Sequence, residues 1–239
     1  MFMQPESWKI YAAKLKDQTV TYSSPASTLP MVVGACNLFP DERETLKQEG
    51  CLFDDDGYNI SALNPYFCEL TSVYWAINNS EEEYIGNAHY RRKWHDEDIL
   101  HSEPGVLYVS DPGFFGYSMA QQFLDGHDGF DAPGITIGLA ERGLIPFSPS
   151  QLKAVWEHNV LHGCQMARGP REYYCRFMNL AFDCLWPFWD EYKEEIMAME
   201  GYNKRMVGFV GERMMTALIL CRDSFFDFPI KSSRVQYCP

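Results

Sequence analysis

Two short polar runs hold most of the side chains able to do chemistry. His89, Tyr90, Arg91, Arg92 and Lys93 stand together, the only place where three basic residues are consecutive. Arginine offers a planar fork of N–H donors that matches phosphate or carboxylate oxygens. The run therefore reads as an island for an anionic ligand, with a solvated surface as the competing reading. Asp54, Asp55 and Asp56, followed by Gly57, form the second run. Three carboxylates suit a divalent cation such as Mn2+ or Mg2+, but Asp before Gly is equally a good turn. His95, Asp96, Asp98 and His101 invite a metal too, or simply make a polar loop between strands. His158 and His162 have the spacing of a helical zinc pair. However, HNVLH lacks the glutamate that a zinc protease uses as its base, so a packing or surface role is the better reading.

The elements around the two runs have local signatures. Leu70, Val73, Tyr74 and Ile77 fall at i, i+3, i+4 and i+7, the period of an amphipathic helix. Asn64 and Pro65 suit its first turn, and Asn78 and Asn79 stop it. Glu81, Glu82 and Glu83 make a solvated connection into a short apolar strand, residues 84–88. His89 to Lys93 then lie at its carboxyl end, where open α/β sheets gather ligands.

The stretch GYNISALNPYFCELTSVYW followed by YIGNAHYRR resembles the signature of a bacterial family of capsular and exopolysaccharide gene clusters. That family is known as a domain of unknown function and placed among glycosyltransferases of the GT-A type. The resemblance rests on Asn59, Ile60, Ser61, Asn64, Cys68, Glu69, Leu70, Thr71, Tyr74, Trp75, Tyr84, Ile85, Gly86, His89, Tyr90, Arg91 and Arg92. A second block, YNKRMVGFVGERMM, is similar to the family's closing motif through Arg205, Gly208, Phe209, Glu212 and Arg213. The chain departs at Tyr58, where the family usually has Asp, and at Ala13-Lys14, where it usually has His-Lys. Between the two blocks the match is loose.

The resemblance implies a nucleotide-diphosphate sugar as donor and a glycan as acceptor. It implies donor contacts from His89, Tyr90, Arg91, Arg92, Asn59, Ser61, Asn64, Glu69, Asp56, Arg205 and Arg213. In GT-A enzymes the corresponding strand ends in Asp-x-Asp, which holds a metal against the diphosphate. Here His89-Tyr90-Arg91-Arg92 stand in that place, so basic side chains are expected to replace the metal, with Asp54, Asp55 and Asp56 as the rival cation site. Transfer with inversion needs a base for the acceptor hydroxyl, usually a carboxylate. The candidates are Glu212, then Asp128, then Glu69, and His127 matches a His near the family's acceptor-side loop. The alternative is a catalytically inactive carbohydrate- or nucleotide-sugar-binding protein of the same fold.

Composition sets the outer limits. The chain has 239 residues, 46% hydrophobic and 22% charged, values of a globular domain rather than a disordered one. Its formal charge of −13 excludes a typical nucleic-acid binder, whose affinity comes from neutralising phosphates. The aromatic share, 15%, suits carbohydrate faces but more often core packing. Eight cysteines include no Cys-x-x-Cys pair, so they read as reduced, mostly buried small hydrophobes of a cytoplasmic protein. The start, MFMQPESW, has no signal-peptide pattern. No apolar run approaches ~20 residues, which predicts no spanning segment and leaves peripheral attachment to a membrane open.

Along the chain, residues 8–13 read as a first strand, 25–30 as a loop, 31–34 as a short buried segment and 105–110 as a strand. Residues 117–124 read as a short helix, and 131–147 as a loop with a helical turn. Ser148, Pro149 and Gln151 make a capping box with its proline, opening a helix expected to reach His162. Residues 171–199 read as a long helix kinked or divided at Pro187. A last helix spans 203–220, and a tail lies over the surface. Together these predict an α/β protein of GT-A type, one domain over residues 1–239. Its central, mostly parallel mixed sheet is flanked by helices, with a helical C-terminal portion over about 148–225.

Overall fold

The computed structural model describes residues 8–238; residues 1–7 and Pro239 lie outside them. The chain opens with β1 (Trp8–Lys14) and β2 (Ser27–Val32), then α1 (Pro40–Gln48) and β3 (Leu52–Phe53). Next come α2 (Asn64–Phe67), α3 (Leu70–Asn79), β4 (Tyr84–His89) and β5 (Arg92–Trp94). α4 (Asp96–Leu100), β6 (Leu107–Ser110), β7 (Gly113–Phe114), α5 (Met119–Gly126), α6 (Ala132–Glu141) and α7 (Pro149–Glu157) follow. β8 (Val160–Leu161), β9 (Ala167–Pro170), α8 (Arg171–Ala198), α9 (Met206–Leu220), β10 (Ile230–Ser233) and β11 (Val235–Tyr237) complete it.

One mixed sheet runs in the order β10-β6-β9-β4-β1-β2-β3. β1 pairs in parallel with β2 and with β4, so the carboxyl ends of these strands open on the same side. β9 runs antiparallel between β4 and β6, and β5 joins β4 to β11. Gly86 allows β9 to come close. A Cβ there would lie 2.5 Å from the Arg168 Cβ and 2.9 Å from the Ile10 Cδ1, so a side chain would push the strands apart.

The alternation of β1 splits the core. Tyr11 joins the larger cluster, under α3, α8 and α9. Ile10 and Ala12 join a smaller one on the other face, with Trp94 and the α4 residue Ile99. Leu70 and Val73 are fully buried at the helical period read from the sequence, worth about 1.5–3 kcal/mol per side chain. Among the described residues no helix is long and apolar enough to cross a membrane. All eight cysteines are free, but only Cys51, Cys68 and Cys184 are buried, fewer than expected.

Several local expectations give way to tertiary pairing. Residues 27–32 are strand, not loop, because β2 completes the hydrogen bonding of β1. α7 keeps its capping box but ends at Glu157, where His158 turns extended. Val160–Leu161 then pairs with Gly113–Phe114, so His158 and His162 share no helix face. Residues 132–141 form a helix rather than a loop, capped by the Asp131 side chain. α8 passes through Pro187 undivided, since Cys184, Leu185, Phe188 and Trp189 on both sides of the proline are packed in one core. The closing tail forms two strands, β10 in parallel with β6 and β11 antiparallel to β5.

Candidate active site

β4 and β5 turn back on each other at the register pair His89↔Arg92, so Tyr90 and Arg91 form the tip of a hairpin. The hairpin stands at the carboxyl ends of β1 and β2, over a cavity of about 360 Å³. Tyr90 N–H donates to the Ala13 carbonyl (2.9 Å), and the Tyr22 hydroxyl donates to the His89 carbonyl (2.7 Å). Backbone and side-chain bonds thus fix the tip against β1 and the loop that follows it.

Opposite the hairpin lies the turn between α2 and α3. Asn64 Nδ2 and Thr71 Oγ1 both donate to the Cys68 carbonyl, at 2.9 and 3.1 Å. Cys68 itself takes a φ of 55°, a left-handed conformation that costs a non-glycine residue about 1–3 kcal/mol and that ligand sites often retain. α9 closes over this turn at Gly208, where a Cβ would stand 3.0 Å from the Cys68 Sγ. Arg205 Nε donates to that sulfur (3.0 Å). Burial pushes the Cys68 thiol up to about 12, helped by Glu69 and opposed by Arg205.

Glu69 follows the turn, with Oε1 3.1 Å from His89 Nε2. His89 Nε2 also lies 3.1 Å from the Cys164 carbonyl. Burial alone would raise the Glu69 carboxyl. His89, the carboxyl's own backbone hydrogen bond and Arg205 outweigh burial and hold it below the ordinary carboxylate range.

The cations define the character of the cavity. Lys14, Arg91, Arg92 and Arg205 line it, with Glu69 as the sole carboxylate of the lining. Among the described residues none of the four cations makes an ion pair, whereas Lys93, the third basic residue of the run, is paired with Asp96. Arg91 rests over the rings of Tyr90 and Tyr237, at 5.3 and 5.9 Å. Lys14 is 4% exposed, and its Nζ lies 3.8 Å from the Cys51 sulfur. It was not among the residues expected to bind. A single lysine closing a strand carries no local signal.

His89, Tyr90, Arg91, Arg92, Asn64, Glu69 and Arg205 are thus brought together. The others are elsewhere. Asn59 donates to the carbonyls of Asp55 and Gly57 and shapes the turn there. Ser61 is buried and donates to Asp54 (2.5 Å). Arg213 is 3% exposed and engages Gln122, Glu212 and the Phe209 carbonyl. Glu212 stands behind the site. Its Oε1 accepts the Cys164 N–H (2.6 Å) and its Oε2 an Arg213 N–H (3.0 Å). It braces the left-handed Cys164 turn whose carbonyl meets His89.

His127 and Asp128 border a separate cavity beside Glu195 and Asn203. His127 packs between Phe123 and Phe209, with ring centroids at 4.4 and 4.2 Å. Burial lowers its pKa, and Arg213 lowers it further. Asp128 accepts a hydrogen bond from Asn203.

Asp54, Asp55 and Asp56 each accept donors from the protein itself. Asp54 is fully buried and accepts from Gly34 N–H, Ala35 N–H (both 3.0 Å) and Ser61. Arg43 takes both oxygens of Asp55 and one of Asp56. Residues 96–100 form the helix α4 rather than a loop, and there Asp98 accepts from Arg234 and Ser233. Among the described residues, no group of three or more His, Cys, Asp or Glu side chains is placed to hold a metal ion.

The profile of a domain of unknown function, DUF4422, matches residues 9–124. The matched region includes the run from Asn59 to Arg92 and stops well before the block around Glu212. No curated protein matches the chain. Among solved structures, the apo form of the bifunctional glycosyltransferase WbbM superimposes with a TM-score of 0.74 at 18% identity. The superposition covers 96% of this chain and 45% of that one, so this chain spans less than half of its structural relative. The chain therefore shares its fold, α/β with a mixed central sheet flanked by helices, with part of that structure.

Proposed function

We propose that the protein transfers a sugar from a nucleoside-diphosphate donor to a hydroxyl of a glycan or other acceptor. The donor diphosphate would sit in the cavity at the carboxyl ends of β1, β2 and β4. One observation carries this reading: in a chain of net charge −13, four cations that make no ion pair among the described residues line one cavity. Each charge-assisted hydrogen bond they make to a phosphate oxygen is worth about 1.5–3 kcal/mol. When the bond from the anomeric carbon to the diphosphate breaks, negative charge gathers on the leaving oxygens. Cations already held in place stabilise that charge without reorganising. Arg91 and Arg92 present their forks to the diphosphate, Lys14 adds a point charge from the floor, and Glu69 holds His89 at the hairpin's base. The chemistry fits a site in which side chains do the work that a divalent metal does in Asp-x-Asp enzymes. The fold likeness and the motif resemblance support the same class of reaction.

The test is a thermal-shift screen of purified protein against UDP, GDP and their sugars, since a ligand that binds only the native state raises Tm. At least one nucleotide should raise Tm at millimolar concentration, and the matching nucleotide sugar should release its diphosphate in the presence of an acceptor. Stabilisation without release from any sugar nucleotide would favour the alternative, a nucleotide-sugar-binding protein without turnover. No shift with any nucleotide would remove the donor reading.

A further inference from the structure

A second cavity, of about 300 Å³, shares Arg92 with the first. Arg92, Ser110, Asp111, Phe115, Cys164 and Tyr237 line it. The two cavities meet at a common wall, because the Cys164 carbonyl is also a partner of His89. Around the second cavity, aromatic rings are left in solvent. Tyr237 in the lining is 57% exposed, Phe114 beside it 72% and Tyr117 51%. The Phe115 and Tyr117 rings are stacked at 6.2 Å and 16°. Exposed aromatics next to polar groups suit a ligand with both apolar faces and hydroxyls, which is the chemistry of a sugar.

Asp111 is the carboxylate of this lining, just past the end of β6. Its Oδ1 accepts the Val235 N–H at 3.2 Å, and among the described residues no donor reaches its other oxygen. The remaining carboxylates near the site are committed: Glu212 to Cys164 and Arg213, Glu69 to His89, and Asp128 to Asn203 in a different cavity.

We infer that the second cavity is an acceptor subsite for a hexose unit and that Asp111 is the general base for its attacking hydroxyl. This rests on the donor reading of the first cavity. As the acceptor oxygen bonds to the anomeric carbon, its proton passes to the free oxygen of Asp111. The bond from that carbon to the diphosphate breaks, and its electron pair leaves with the nucleoside diphosphate beside Arg92. A single displacement of this kind inverts the anomeric carbon.

The experiment uses UDP, UDP-hexoses and p-nitrophenyl hexosides as probes. Binding of UDP is followed by calorimetry, and binding of the hexosides by saturation-transfer NMR with UDP present. Phe115→Ala and the more exposed Tyr237→Ala should each weaken hexoside binding about tenfold and leave UDP affinity unchanged. Asp111→Asn keeps the oxygen that accepts the Val235 N–H. It should cut hexoside-dependent UDP release by about 100-fold or more with both binding steps retained, and the wild-type product should carry an inverted anomeric centre. Hexosides that fail to bind wild type, or bind indifferently to Phe115 and Tyr237, overturn the subsite. Unchanged release in Asp111→Asn, a retained anomer, or wild type that binds both probes without release overturns the base. Failure of wild type to bind UDP, with hexosides still held by Phe115 and Tyr237, counts against the donor reading and not against the subsite.

Discussion

The acidic turn at Asp54–Asp56 and the basic hairpin at His89–Arg92 looked alike as runs of like charge, yet the fold treats them in opposite ways. Each carboxylate of the acidic turn accepts donors from its own molecule. Asp54 binds two backbone N–H groups and a serine, and Arg43 clamps Asp55 and Asp56. Among the described residues, Arg91 and Arg92 make no ion pair, and they line a cavity with Lys14 and Arg205. The difference teaches where ligand chemistry is to be sought: in charges whose hydrogen-bonding capacity the protein leaves open. A carboxylate already saturated by donors holds the fold together.

The largest effect that follows is on stability. Asp54→Ala would strand two backbone donors and a buried hydroxyl, and should destabilise the protein by about 3–5 kcal/mol. Chemical denaturation measures this, and a cost below about 1 kcal/mol would mean that the buried turn does not depend on the carboxylate. The basic side should show a pH signature instead. The Glu69 carboxyl is held below its ordinary value of 4.5 in the folded state, so its contribution is fully present above that pH. The contribution is lost as pH falls through the lower, folded value. Stability measured from pH 6 downwards should therefore fall more steeply for wild type than for Glu69→Gln, and parallel curves would remove the Glu69–His89 pair from the account. The smallest effect is expected at Arg43, whose side chain is 32% exposed. Arg43→Ala should cost about 1 kcal/mol or less and leave nucleotide binding intact, and a loss of binding would tie the acidic turn to the ligand after all.

What the sequence disclosed was mostly what neighbours in the chain decide. The period of Leu70, Val73 and Ile77 and the capping box of Ser148 and Gln151 are settled within a few residues, and both stand. β10 and β11 were read as a tail because their partners, residues 107–110 and 92–94, lie more than a hundred residues earlier. α6, with APGITIGLAE, has glycine and proline in its first turns and apolar residues almost all round, so no face stood out. The hairpin residues of the candidate site were visible as a charged run at a strand end. Asp54 and Arg92 could not be told apart as saturated and open, because the donors to Asp54, from Gly34 to Ser61, and the lack of an ion pair at Arg92 among the described residues are properties of the packed chain. Lys14 gave a local reading no hold for the same reason.

The most direct test of the central claim is calorimetric titration of UDP into wild type and Arg92→Ala, first with excess chelator and then with manganese. The account predicts binding in chelator, weakened by added salt. It also predicts a loss of about ten- to a hundredfold in affinity in Arg92→Ala, with the melting temperature unchanged. Binding that requires manganese and is indifferent to Arg92 would contradict it.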